Sequence, residues 1–166
     1  MERDVTDAIV EAWARELPAA AGLPLEFNKR VGRLAAILGD ATTAQITRFG
    51  LTNAEYHVLS VLRSVGPPYR LRPTDLAGRL LLSSGGTSNV LRRLTEAGLI
   101  DRQADTRDAR STWVHLTDEG VRTAEKAVLA ATDAHTAVLR AVPEEKAREA
   151  ADVLREVLIA LGDTDP

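Results

Sequence analysis

The chain has 166 residues, which suits one compact subunit, and 45% of them are hydrophobic, enough for a core. It contains no cysteine, which excludes a disulfide framework and a thiol sensor, and no apolar run of about 18 residues, which argues against a membrane span. The net charge of −3 argues against nucleic acid until its distribution is read: residues 70–115 carry eight Arg, no Lys and five acids, an excess of +3, against −6 for the remainder.

There are 18 Arg to 3 Lys overall. Alanine is also abundant, so part of that bias is compatible with genomic composition. The acidic N-terminus MERDVTDAIVEAW has no signal-peptide pattern, and the cytosol is the expected compartment.

Val5, Ile9, Ala12, Trp13 and Leu17 share one side of an amphipathic helix over residues 4–17, which Pro18 stops. A helix this short is marginal alone and needs a partner surface. Residues 19–24 read as a linker. A long helix follows over 25–49, with Phe27, Val31, Leu34, Leu38 and Ala41 along one face. Lys29, Arg30 and Arg33 near its start read as a solvated face. A third helix opens at Thr52, where Glu55 completes a capping box. It carries Tyr56, Leu59 and Leu62 and ends at Gly66-Pro67-Pro68. Arg70 and Arg72 come next, placed to touch phosphate, which adds affinity without sequence discrimination.

Pro73 opens a short helix, because its missing N–H would be unpaired there anyway. Leu76, Leu80 and Leu81 give it an apolar face. Ser83-Ser84-Gly85-Gly86 breaks it, and serine favours the cap of the next helix. That helix begins near Ser84, runs to about Ala97 and ends at Gly98, a residue able to take positive φ. At roughly 100° per residue, Thr87, Val90, Leu91, Leu94 and Gly98 fall on one side. Gly85, Ser88, Asn89, Arg92, Arg93 and Glu96 fall on the other. Small residues at a helix N-terminus let a phosphate approach closely. Asn pairs with adenine and Arg with guanine in a major groove. An ordinary surface helix would show the same polar face.

Residues 99–103 and 111–116 then read as two strands. The polar turn ADTRDAR between them carries Arg107, Asp108 and Arg110. An Arg on a thin loop reaches a minor groove, where narrow A·T-rich segments concentrate negative potential. Asp108 reads as a brace for an Arg, since phosphates would repel it. Helix, turn, helix and two strands make a winged helix-turn-helix. The candidate DNA-binding residues are Arg72, Thr74, Ser84, Gly85, Ser88, Asn89, Arg92, Arg93, Arg107 and Arg110.

Thr117 begins another helix, with Gly120 in its first turn, that runs to about Ala141. Pro143-Glu144-Glu145 starts the last one, with Pro and two acids suited to a helix N-terminus. Ala147, Ala151, Leu154, Leu158 and Leu161 form its stripe. The reading unit is too small to cover all these apolar stripes. They meet most simply in a second copy, as a two-fold dimer with its recognition helices about 34 Å apart. The alternative is a monomer with the helices folded back. The expected class is mostly α with a small β-wing (α+β). Dimerisation helices at 1–50 and 117–166 flank a DNA-binding unit at 51–116.

GLIDR before the wing, DTRDAR within it and LTDEG after it resemble the MarR family of transcriptional regulators. LLLSSGGTSNVLRRL and the Trp-bearing first helix are most similar to the branch of urate-responsive and PecS-type repressors. The resemblance covers most of the chain. It implies a homodimer on pseudo-palindromic DNA, released by a small ligand. The outward face of the second helix of the pair would enter the major groove, and Arg110 the minor groove. The branch also implies a ligand pocket shaped by a Trp, an Asp and two Arg. Trp13 matches the Trp and Arg102 one Arg. His57 stands where the pattern has Asp, and Val90 where it has the second Arg. These departures remove an anion and a cation, and argue against urate. His57 also titrates near pH 6.5.

Trp13, His57 and Arg102 are therefore the candidate ligand-binding residues, for another small molecule or for none. Each has a plain alternative: a packing anchor, a helix histidine, and a brace against Asp101, Asp105 or Asp108. The chain shows no GxSxG, P-loop, HExxH or GxGxxG. His57, His115 and His135 lack ligand spacing, although a zinc site shared between helices stays open. No enzyme activity, cofactor or membrane partner is expected. The competing reading is a winged-helix dimer that binds other proteins through a vestigial DNA face.

Overall fold

The computed structural model describes residues 2–80, 84–104 and 112–164. They are mostly helical, with one small antiparallel sheet. In chain order the elements are α1 (Val5–Glu16), α2 (Leu23–Ile46), α3 (Asn53–Ser64), β1 (Arg70–Leu71), α4 (Pro73–Leu80), α5 (Ser84–Glu96), β2 (Ile100–Ala104), β3 (Thr112–Leu116), α6 (Asp118–Leu139) and α7 (Glu144–Ala160). Short 3₁₀ turns follow α1 and α2. Two compact units emerge, Met1–Ala41 and Thr42–Pro166.

In the first unit α1 is closed by a capping box the sequence reading did not mark. Asp4 accepts from the Asp7 N–H at 3.0 Å and Asp7 accepts from the Asp4 N–H at 2.8 Å. Arg30, expected on a solvated face, instead ties elements together. It donates to Asp4 at 2.9 Å, to Asp7 at 2.7 Å and to Glu26 at 2.9 Å. The Asp4 carboxyl is held below its ordinary range, first by the Arg30 hydrogen bond.

The second unit is built on one apolar cluster. Val58, Leu59 and Leu62 of α3, Leu76 of α4, Leu91 and Leu94 of α5 and Ala124 and Ala127 of α6 bury together with Ile100, Val114 and Leu116 of the sheet. Each buried Leu, Ile or Val contributes about 1.5–3 kcal/mol. α3 starts at the expected capping box, with Thr52 and Glu55 bonded reciprocally. Gly98, past the end of α5, has φ 69°, as a helix stop requires. Leu81, expected on the α4 face, lies outside the described residues.

The sheet has three strands in the order β1-β3-β2, not the two expected. Arg70 pairs with His115 and Leu71 with Val114. A two-residue strand is too short to show alternation, so the sequence assigns Arg70 and Arg72 no strand. β2 runs against β3 with Arg102 opposite Val114 and Gln103 opposite Trp113. Val114 is fully buried on the helix side of the sheet. Arg102 therefore faces the helices, and Trp113, one position along, faces away.

α6 enters directly over the start of β2. A Cβ at Gly120 would stand 1.9 Å from the Leu99 carbonyl oxygen. Thr117 caps the helix there, accepting from the Gly120 N–H at 3.0 Å and donating to the Gly98 carbonyl at 2.7 Å. α7 has no buried residue, and Val153, Leu158 and Ile159 are about half exposed. Among the described residues no helix is long and apolar enough to cross a membrane.

Candidate nucleic-acid interface

α5 presents two unlike faces. Thr87, Leu91 and Leu94 are buried, and Val90 packs on the same core. Ser88, Asn89, Arg92, Arg93 and Glu96 are exposed. This is the division that helical periodicity predicts. The outward row is already organised by its own bonds. Arg92 donates to Asn89 Oδ1 at 2.9 Å and to Glu96 Oε1 at 2.6 Å. Arg93 turns the other way, with Nε 2.9 Å from Glu55 Oε1 on α3. Ser84 and Gly85 form the first turn of α5. Arg107 and Arg110 lie outside the described residues.

α4 supplies the flank. Thr74 is exposed in its first turn, its hydroxyl 3.4 Å from the Asp75 carboxylate. Arg72 precedes the helix and holds its guanidinium 5.2 Å from the centre of the Trp113 ring, and Arg70 stands at 4.7 Å over the same ring. Two guanidiniums on one indole form a cation–π stack. The sequence reading missed it because β1 went unrecognised. No local signal marks a two-residue strand, which exists only through its pairing with β3.

Two crevices border α5. One, of about 480 Å³, is lined by Pro73, Thr74, Thr87, Ser88, Leu91 and Arg102 among others. The second, of about 470 Å³, is lined by Ser88, Arg92, Thr95, Glu96 and Arg102. Ser88 and Arg102 wall both. The structure thus brings Arg102 beside the outward row of α5. The Asp101 carboxylate accepts from the Arg102 backbone N–H at 2.7 Å.

His57, the second candidate ligand residue in this unit, lines neither crevice. His57 is exposed on α3, its ring 5.3 Å from that of Tyr56. Trp13 belongs to the first unit and is 42% exposed. A larger cavity, of about 730 Å³, opens between α3 and α6, with Tyr56, Ser60, Arg63, Glu125, Val128 and Leu129 in its wall. Glu125 accepts from Arg63 at 2.8 Å, and this hydrogen bond is the main reason the Arg63 pKa is raised. Burial pushes the Tyr56 phenol up. None of these three cavities is lined by both His57 and Arg102. Among the described residues no group of three or more His, Asp or Glu could hold a metal.

Residues 49–111 match the MarR family model. The chain is 29% identical over 117 residues to the HTH-type transcriptional regulator PecS of Dickeya dadantii, covering 70% of each. It superposes on a MarR family transcriptional regulator from Streptomyces coelicolor with a TM-score of 0.73 and 28% identity, covering 87% of this chain and 100% of that one. E. coli MarR, solved as a mutant complexed with operator DNA, shares the fold at a TM-score of 0.73 and 18% identity, over 88% of this chain and 97% of that one. The helix-turn-helix, the paired wing strands and these similarities support a winged-helix transcriptional regulator of the MarR type, with the family's own domain matched at residues 49–111.

Proposed function

We propose that the protein is a sequence-specific DNA-binding repressor acting as a homodimer on a pseudo-palindromic operator. The observation that carries this is α5. Its apolar face is locked into the core while Ser88, Asn89 and Arg92 stand outward in one row. Asn and Arg at such spacing read adenine and guanine edges in a major groove. Arg72 and Thr74 beside α4 serve the phosphate backbone, which fixes register. Arg107 and Arg110, in the sequence between β2 and β3, serve the minor groove. PecS is named a transcriptional regulator, and the E. coli relative was solved on operator DNA.

The homodimer rests on apolar surface left open. Leu158, Ile159 and Leu161 of the C-terminal segment are 47%, 55% and 76% exposed, and Leu23 and Ile37 of α2 are 74% and 50% exposed. A second copy covering the helices of 1–50 and 117–166 would place two α5 helices about one DNA turn apart. A small effector completes the reading. Arg102 is the candidate ligand residue best placed to couple it to DNA, because it lines both crevices that Ser88 also lines. An anionic ligand drawn to that guanidinium would crowd the DNA-reading row.

The test is fluorescence anisotropy with DNA from the upstream intergenic region against scrambled DNA, at several salt concentrations. Tight binding that weakens with salt and exceeds scrambled DNA by about 10³ or more is the expected result. Candidate ligands are then screened by release, with Trp13→Ala, His57→Ala and Arg102→Ala as controls. Equal, weak binding to every DNA tried, including a random pool, would favour a protein-binding winged helix instead.

A further inference from the structure

Glu55 is the only buried charged side chain among the described residues, and its carboxylate is shared between two elements. Oε2 accepts from the Thr52 backbone N–H and from the Thr52 hydroxyl, both at 2.8 Å, and so closes the N-terminus of α3. Oε1 lies 2.9 Å from Arg93 Nε on α5. One buried carboxylate therefore caps α3 with one oxygen and holds α5 with the other. Arg92, the neighbouring residue, pairs along its own helix, with Asn89 and Glu96, at the exposed surface.

We propose that Arg93 is a positioning residue for DNA reading and not itself a DNA contact. The inference rests on α5 being the reading helix. Leu91 and Leu94 hold α5 by apolar packing, which is non-directional and tolerates a small rotation or slide. The Arg93–Glu55 ion pair instead ties α5 to one fixed point on α3, a carboxylate whose other oxygen is already held by Thr52. It pins the rotation and height of α5 against α3, and with them the places of Ser88, Asn89 and Arg92. Base-edge hydrogen bonds are lost on a displacement of an ångström, whereas attraction to phosphates is long-ranged and survives it. The predicted signature is lost discrimination with preserved electrostatic affinity.

The experiment starts by selecting an operator from a random DNA pool with the full wild-type chain. Arg93→Gln, Glu55→Gln, the double variant and Arg93→Lys are then titrated with that operator and with scrambled DNA across salt concentrations. Each single Gln variant should lower the operator-to-scrambled ratio by about tenfold, and the double variant should do no worse than either, as expected for partners in one contact. Affinity for scrambled DNA and the salt slope should stay as in wild type. Arg93→Lys should lose discrimination too, because it keeps the charge but replaces the planar guanidinium with a point charge on a flexible stem that does not hold the same place. The proposal is overturned if Glu55→Gln matches wild type while Arg93→Gln weakens both DNAs equally and lowers the salt slope by about 0.9, the mark of one lost phosphate contact. Circular dichroism checks folding. If Arg93→Gln unfolds, Arg93→Lys and the double variant, which bury no uncompensated charge, decide by the same two readouts. A wild-type chain that selects no sequence would remove the DNA-reading function itself, whereas a selected operator with an unaffected Glu55→Gln removes only this inference.

Discussion

At the residue scale the outward row of α5 separates roles that composition alone cannot. Arg92 and Arg93 are adjacent and both exposed, yet one faces along the helix surface and the other reaches α3. If Arg92 reads a guanine, Arg92→Ala should cost about 1–3 kcal/mol at the cognate base pair and relax preference there, measured by competition among operator variants. A uniform loss across sequences would make it a phosphate contact instead. A second single-residue prediction concerns Asp4, whose pKa is lowered, first by Arg30. A depressed folded-state pKa adds stability that is present above the ordinary carboxylate range and lost as pH falls through the lowered value. Asp4→Asn keeps the helix cap but removes the charge that Arg30 stabilises. Its thermal midpoint should fall relative to wild type at neutral pH and converge with wild type in acid. An equal gap at every pH would mean the charge contributes nothing.

At the scale of elements the junction of β2 and α6 leaves no room for a side chain. Gly120 sits where a side chain would strike the Leu99 carbonyl, and backbone on both sides leaves little room to yield. Gly120→Ala should therefore destabilise by at least about 1–3 kcal/mol, the usual cost of overpacking, read by denaturant unfolding. An unchanged midpoint would show that the strand entry can move. The helix starts and stops were legible in the sequence: Thr52 with Glu55, Pro73, Gly98 and Thr117 all act where they were read. Each is a signal contained within a few neighbouring residues. β1 was not legible, because a two-residue strand exists only through its pairing with β3.

At the scale of the molecule, apolar surface on the C-terminal helix stands open. α7 buries nothing of its own, and Leu158 and Ile159 stand about half exposed. If a second copy covers it, Leu158→Glu should shift the sedimenting species from dimer to monomer. Operator affinity should fall with it, because two half-sites would no longer be engaged in one linked binding event. A variant that stays dimeric with full affinity would place the interface elsewhere.

The sequence by itself determined the order of the helices and of the two wing strands, the class, the two-faced character of α5 and the family resemblance that the comparisons then supported. It could do so because caps, breakers and hydrophobic periodicity are local properties of the chain. Only the tertiary structure decided which charged residues are partners. Arg30 with Asp4 and Asp7, Arg93 with Glu55, Arg63 with Glu125, and Arg70 and Arg72 with Trp113 are all contacts between separate elements. Periodicity tells which face of a helix is polar and not which neighbour meets it. That choice follows from how the apolar faces pack and which side chains the packing brings within hydrogen-bonding reach.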